Sequence, residues 1–419
     1  MEGWQRWLGL GAGLGVIYAL VPKAIEQQQA EPAPAPALER LSEAPAPSAE
    51  PPAEPDFSGL DLLRLDLQDE RVTSPLPNGQ TAELTLEPQL QRATLNVMKR
   101  YALPEAGAVL MDARTGNLLV YASQVRQGDP FDVNLKAEAP AASIFKIVTA
   151  ASLLQTPSLN AQTEQCYRGG GQSRIRADDL REDPNRDHVC ASMATALGHS
   201  LNVVFARLAQ RYLSPRTLTE TANAFGFGAP TPFDVPSEAP SIDLPSDPLE
   251  FARAAAGFWH TTLSPLGAVS IAQTVADGGL MLRPRIVRAL YSGSHSDWQA
   301  NNEPVRVRRA LPEARAHELT KMMRETVASG SAAKSFRDPR GRPYLGDVRV
   351  AGKTGTLARN EQNRLYTWFV GFAPAEHPEV AVSALVVNTP VWRLKAPQLA
   401  RDVLRAYFAK QGTPGVTAP

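Results

Sequence analysis

Arg349-Val-Ala-Gly-Lys353-Thr354-Gly355-Thr356-Leu357 is the stretch on which the reading of this chain turns. Its alternating character predicts a strand. Lys353 supplies a fixed cation, Thr354 and Thr356 two hydroxyls, and Gly355 a backbone position free of a side chain. Together they suit a strand that grips a carboxylate while an extended substrate lies along it. Only nine lysines occur among the 43 basic residues, so Lys-Thr-Gly arises by chance only about 0.04 times at this composition. Glycine in a strand also marks bulges and close packing, so the motif acquires meaning only if a nucleophile lies elsewhere.

Outward from that strand the chain reads as alternating and helical segments. Leu365 to Phe372 and Val380 to Val387 read as further strands of an antiparallel set, with a turn at Pro374 to Pro378. Gly107 to Asp112 and Asn117 to Ala122 read as a hairpin around Ala113-Arg-Thr-Gly116. Helical spacing is expected at Ala141 to Leu154, Asn202 to Tyr212, Leu249 to Phe258, Leu266 to Asp277, Ala314 to Ala328 and Ala396 to Lys410. Strands at both ends with helices between them predict an α+β fold whose sheet pairs distant segments.

A serine attacks an acyl group only when a base takes its proton, and a lysine three residues on along a helix shares its face. Ser143-Ile-Phe-Lys146 and Ser331-Ala-Ala-Lys334 both fit, and chance alone supplies about one such match. Ser143 lies in the first turn of an apolar helix after Pro140, where its backbone N–H is an unpaired donor suited to an oxyanion. Lys146 is flanked by Ile144, Phe145, Ile147 and Val148. Burial and a second cation nearby would lower its pKa and make it a base. Ser331 follows Gly330 at a helix end in a polar segment and reads as a capping or turn serine. A relay hydroxyl with a neighbouring amide has two candidates, Ser158-Leu-Asn160 in a loop and Ser200-Leu-Asn202 opening a helix. The second is preferred because a packed segment stands behind it.

In that order and at those separations, Ser143-Ile-Phe-Lys146, Ser200-Leu-Asn202 and Lys353-Thr-Gly-Thr356 resemble the penicillin-binding protein transpeptidase domain. Thr85-Leu-Glu-Pro-Gln-Leu-Gln91, His260 to Leu266 with Ala276-Asp-Gly-Gly279, and Tyr366 to Pro374 add to the resemblance, which covers roughly Thr81 to Lys410, about four-fifths of the chain. It implies an antiparallel sheet flanked by helices with a mainly helical lobe. It also implies roles. Ser143 is the nucleophile and Lys146 its base, Ser200 relays the proton, and Asn202 holds the peptide amide. Lys353, Thr354, Gly355 and Thr356 bind substrate, and the backbone N–H groups of Ser143 and Thr356 form the oxyanion hole. The implied partners are peptidoglycan stem peptides, β-lactam antibiotics and cell-wall synthesis proteins, with no metal or organic cofactor. Departures are Ala142 where glycine is common, Ser264-Pro265 for Thr-Pro, and no glycosyltransferase or N-terminal pedestal domain. A D,D-carboxypeptidase, a β-lactamase and a scaffold or sensor with little turnover share parts of this pattern. Against the β-lactamase, position 202 is asparagine rather than the valine of Ser-x-Val, and no Glu-x-x-Leu-Asn occurs.

The remainder concerns placement. Acidic and basic residues balance at 43 each, and no basic cluster argues for nucleic acid. Leu8 to Val21 is apolar, and fourteen helical residues reach roughly 21 Å against a hydrocarbon core of roughly 30 Å. Trp4 to Trp7 extend this to roughly 27 Å, with Arg6 snorkelling. An uncleaved single-pass anchor is favoured over a cleaved signal peptide, and either takes the remainder out of the cytoplasm, in the periplasm for the anchored reading. Ala30 to Pro55 carries eight prolines and is expected to be a semi-rigid spacer of up to roughly 80 Å. The expected division is 1–25 anchor or signal segment, 26–80 Pro/Ala-rich linker, 81–411 catalytic domain and 412–419 tail. Cys166 and Cys190, outside the cytoplasm, suggest a disulfide closing a polar, glycine-containing loop, worth up to about 3.5 kcal/mol, with two free thiols as the alternative.

Overall fold

The Lys-Thr-Gly strand, Ala351–Arg359, is the edge of a five-stranded antiparallel sheet in a computed structural model that describes residues 55–419 except 171–173, 302, 360–362 and 390. The expected N-terminal anchor or signal segment and most of the Pro/Ala tract lie outside the described residues. Inward from the edge come Arg364–Ala373, Val380–Asn388, Glu105–Asp112 and Leu118–Val125. The fold is α+β, and its central sheet joins the hairpin near residue 110 to strands near residue 385, with Val380 opposite Asp112 and Val387 opposite Glu105.

Val380–Asn388 is buried throughout because both faces of the sheet are covered. Its side chains alternate between two cores, as the two-residue period of a strand requires. Ala381, Leu385 and Val387 join the core shared with the helices Pro265–Ala276 and Phe145–Leu154. Val380, Val382, Ala384 and Val386 join the opposite core beneath Ala396–Lys410 and Pro88–Arg100. Ser264 caps Pro265–Ala276 by accepting from the Gly267 N–H at 3.0 Å, so the serine that replaces threonine there retains the capping hydroxyl. The helices Met193–His199, Asn202–Tyr212, Pro215–Ala224, Pro248–Ala255 and Glu313–Ala328 supply the helical lobe.

Two boundaries differ from expectation. Residues 55–80 belong to the folded body and not to the spacer. Phe57, Leu60 and Leu62 are buried, and Phe57 packs on Trp298 with ring centroids 5.3 Å apart. Asp66–Leu67, Val72–Pro75 and Thr81–Leu84 form a second sheet with Val287–Ser292 and His295–Gln299. The proline-rich composition stops at Pro55, and the apolar residues after it have a surface to cover. The terminal residues also pack. Val416 lies against the core, and Arg405 donates to the carbonyls of Thr417 and Ala418.

Cys166 and Cys190 occupy opposed positions of the paired strands Glu164–Tyr167 and Val189–Ser192 and are joined by a disulfide. Arg207 ties together described parts of the loop they close. That buried guanidinium donates to the carbonyls of Cys166, Asp179 and Arg181 and to the Asp187 carboxylate at 2.6 Å. Among the described residues no helix is long and apolar enough to cross a membrane.

Candidate active site

Ser143 stands on a single tight turn, Ala142–Ile144, that leads directly into the helix Phe145–Leu154. The turn is pinned from two sides. The Trp368 indole N–H donates to the Pro140 carbonyl at 2.9 Å, and the Ala141 N–H to the Thr261 carbonyl at 3.1 Å. Ala142, noted above as standing where glycine is common, has a φ of +50°, in the left-handed region that glycine adopts without cost. Its methyl group is accommodated because position 355 has none of its own. A Cβ at Gly355 would come 3.3 Å from the Ala142 Cβ and 3.3 Å from the Ile144 side chain. The glycine of Lys-Thr-Gly thus lets the strand close directly onto the nucleophile turn.

Lys146 lies one helical turn beyond Ser143 and is fully buried. Its Nζ is 2.9 Å from Ser143 Oγ, 2.7 Å from Asn202 Oδ1 and 2.5 Å from the Ala256 carbonyl oxygen. Burial, and secondarily the Lys353 charge, hold its pKa well below the usual lysine value. A neutral amine has two N–H donors and one lone pair. With the two carbonyl oxygens taking its donors, the neutral form of Lys146 would turn its lone pair toward the Ser143 hydroxyl, an arrangement that suits a base.

Ser200 ends the helix Met193–His199 in the left-handed conformation at φ +57°, and Asn202 opens the next helix. Lys353 Nζ donates to Ser200 Oγ at 3.0 Å and to the Thr354 carbonyl at 2.8 Å. Burial lowers the Lys353 pKa to about 7. Because Ala351–Arg359 is an edge strand, half of its backbone groups point away from its one neighbour. Such an edge can add an extended peptide.

Ser143, Ser200, Asn202, Thr354 and Thr356 line one cleft of about 240 Å³, with Lys146 and Lys353 reaching it from within the protein. The other Ser-x-Asn candidate falls elsewhere, with Ser158 and Asn160 on exposed loop positions. Lys334 is exposed, unlike Lys146, so Ser331-Ala-Ala-Lys334 lacks a buried amine. Ser331 itself nevertheless lines the cleft, as do Ala256, Gly257 and Phe258. The sequence reading missed those positions, because nothing local marks a turn that is brought to the cleft by the helices before it.

The sequence profile described as the penicillin binding protein transpeptidase domain matches residues 106–405. Peptidoglycan D,D-transpeptidase PbpA of Mycobacterium tuberculosis H37Rv is 27% identical, over 74% of this chain and 68% of that protein. Stage V sporulation protein D of Bacillus subtilis 168 is 25% identical, over 75% of this chain and 51% of its own length. Among solved structures, penicillin-binding protein A from M. tuberculosis in an imipenem acyl-enzyme complex superposes with a TM-score of 0.65 at 22% identity, covering 78% of this chain and 79% of that one. With the profile running from the second residue of the Glu105–Asp112 strand to deep within the last helix, the chain belongs to the penicillin-binding protein transpeptidase domain family.

Proposed function

We propose that this protein is a serine D,D-transpeptidase that cross-links peptidoglycan through a Ser143 acyl-enzyme and is acylated by β-lactams. The observation that carries this reading is Lys146, a buried amine held 2.9 Å from Ser143 Oγ with its own N–H groups engaged by two carbonyl oxygens. Lys146 takes the Ser143 proton as Oγ attacks the carbonyl of the penultimate D-Ala. The backbone N–H groups of Ser143 and Thr356 hold the oxyanion. The proton passes through Ser200 to the leaving D-Ala nitrogen as the C–N bond breaks and the ester forms. An amine from a second stem peptide then attacks the ester, and Ser143 regains its proton. Asn202 holds the donor peptide amide, while Lys353, Thr354 and Thr356 hold its terminal carboxylate. The N-terminal apolar segment tethers the domain outside the cytoplasm, and the Pro/Ala-rich tract sets its reach.

Fluorescent penicillin tests the reading. The purified protein is expected to carry one label that persists for hours after free drug is removed, because transpeptidases must exclude water from the ester. Release within seconds as hydrolysed penicillin would make the protein a β-lactamase instead.

The pH dependence follows from the carboxylate clamp. Lys353 has a lowered pKa, so it is charged below about 7 and loses its charge as pH rises through that value. The second-order acylation rate reports the free protein. It is therefore expected to fall as pH passes upward through about 7 for a β-lactam bearing a carboxylate. A rate that stays flat through the alkaline range would remove Lys353 from the clamp.

A further inference from the structure

Ser331 has no part in the roles above. Its hydroxyl lies 2.5 Å from Thr354 Oγ1, on the wall of the same cleft that holds Ser143 and Ser200. The turn that carries it is seated by backbone contacts. The Ser331 N–H donates to the Gly198 carbonyl at 3.0 Å, and the Gly330 N–H to the Glu325 carbonyl at 2.7 Å. A Cβ at Gly330 would come 2.2 Å from the Gly198 oxygen, so the two backbones touch and only glycine fits. Gly198 precedes Ser200 by two residues. That contact places Ser331 on the Gly198 backbone near Ser200, while its hydroxyl reaches the Lys-Thr-Gly strand at Thr354.

Two hydroxyls this close share one hydrogen between them, and each brings one of its own. The second hydrogen is then left to serve an acceptor in the cleft. The Ser331–Thr354 pair thus presents a donor beside the Thr354 position already assigned to a carboxylate, while Lys353 supplies the charge.

We propose that Ser331 is a substrate-positioning residue that completes the carboxylate clamp and selects ligands ending in an anion. The proposal rests on the transpeptidase reading. The hydroxyl pair adds an oriented donor to the one N–H that Lys353 has left after Ser200 and the Thr354 carbonyl.

The test compares benzylpenicillin with its neutral methyl ester on the full chain, in the native protein, Ser331→Ala and Ser331→Thr. The second-order acylation rate of Ser143 is measured for each ligand, with the melting temperature recorded beside it. Ser331→Ala is expected to lower the rate for the acid by about tenfold to a hundredfold, the usual cost of one hydrogen bond to a charged group. The rate for the ester should stay within about twofold, and Ser331→Thr should restore most of the selectivity. A merely structural role would lower both rates together. Equal losses on the two ligands, or an unchanged ratio, overturn the proposal while leaving the transpeptidase intact. A native protein that takes neither ligand overturns the transpeptidase reading, and the clamp with it.

Discussion

Ser143→Ala abolishes covalent labelling by penicillin, and intact-mass measurement of the treated protein shows no added drug. Removal of the nucleophile in serine acyl transfer costs on the order of 10⁶ in rate, so no adduct accumulates on the timescale of the assay. The fold should survive. Ser143 is only half-buried, its turn is held by Trp368 and Thr261, and Lys146 keeps its contacts with Asn202 and Ala256. A melting temperature close to that of the native protein would separate loss of chemistry from loss of structure. Ser331→Ala still takes up label, more slowly. The reverse pattern, with label kept by Ser143→Ala and lost from Ser331→Ala, would transfer the nucleophile to the other Ser-x-x-Lys stretch and sink the assignment.

Lys146→Met gives the second largest effect. Loss of a positioned general base costs about 10²- to 10⁴-fold in acylation rate. Methionine approximates the length of the lysine stem, so the packing of the helix is retained. It donates no hydrogen, however, and leaves Asn202 Oδ1 and the Ala256 carbonyl without their Lys146 partner. A partner lost from a buried acceptor costs about 1–3 kcal/mol, so the variant melts at a lower temperature as well as reacting slowly. Lys334→Met is the control. Its lysine is exposed, and an exposed substitution is expected to change the rate by no more than about twofold. Comparable losses for the two variants would mean that Lys146 serves packing rather than proton transfer.

The legibility of this chain followed the strength of its local patterns. The helices Asn202–Tyr212 and Ala396–Lys410 were readable to the residue, because each has an apolar face of helical period and a sharp start. The three C-terminal strands were readable within three residues at each end, since their alternation is uninterrupted. The second sheet was not. Its strands are short, and residues 55–80 follow so closely on proline-rich sequence that their apolar positions looked like part of the spacer. In the cleft, Ser143, Lys146, Ser200 and Lys353, expected from motif and order, are brought together. The positions that were missed, Ala256 to Phe258 and Ser331, contribute through backbone placement or through contacts with distant segments. The Lys146 contact with the Ala256 carbonyl has no sequence signal at all, because any residue offers a carbonyl.

The pairing of Val380–Asn388 with Glu105–Asp112 has a consequence for the order in which the chain is made. Synthesis runs from the N-terminus, so the hairpin near residue 110 emerges long before the strand that covers its inner edge. Until then the Glu105–Asp112 strand has a partner on one side only and a row of unpaired N–H and C=O groups on the other, flanked by apolar side chains. Contacts of such long sequence separation form late. Until the last strands arrive, the nascent chain therefore carries an uncovered, adhesive edge. A chain cut short before residue 351 never closes the sheet, so premature termination yields aggregation rather than a smaller working enzyme.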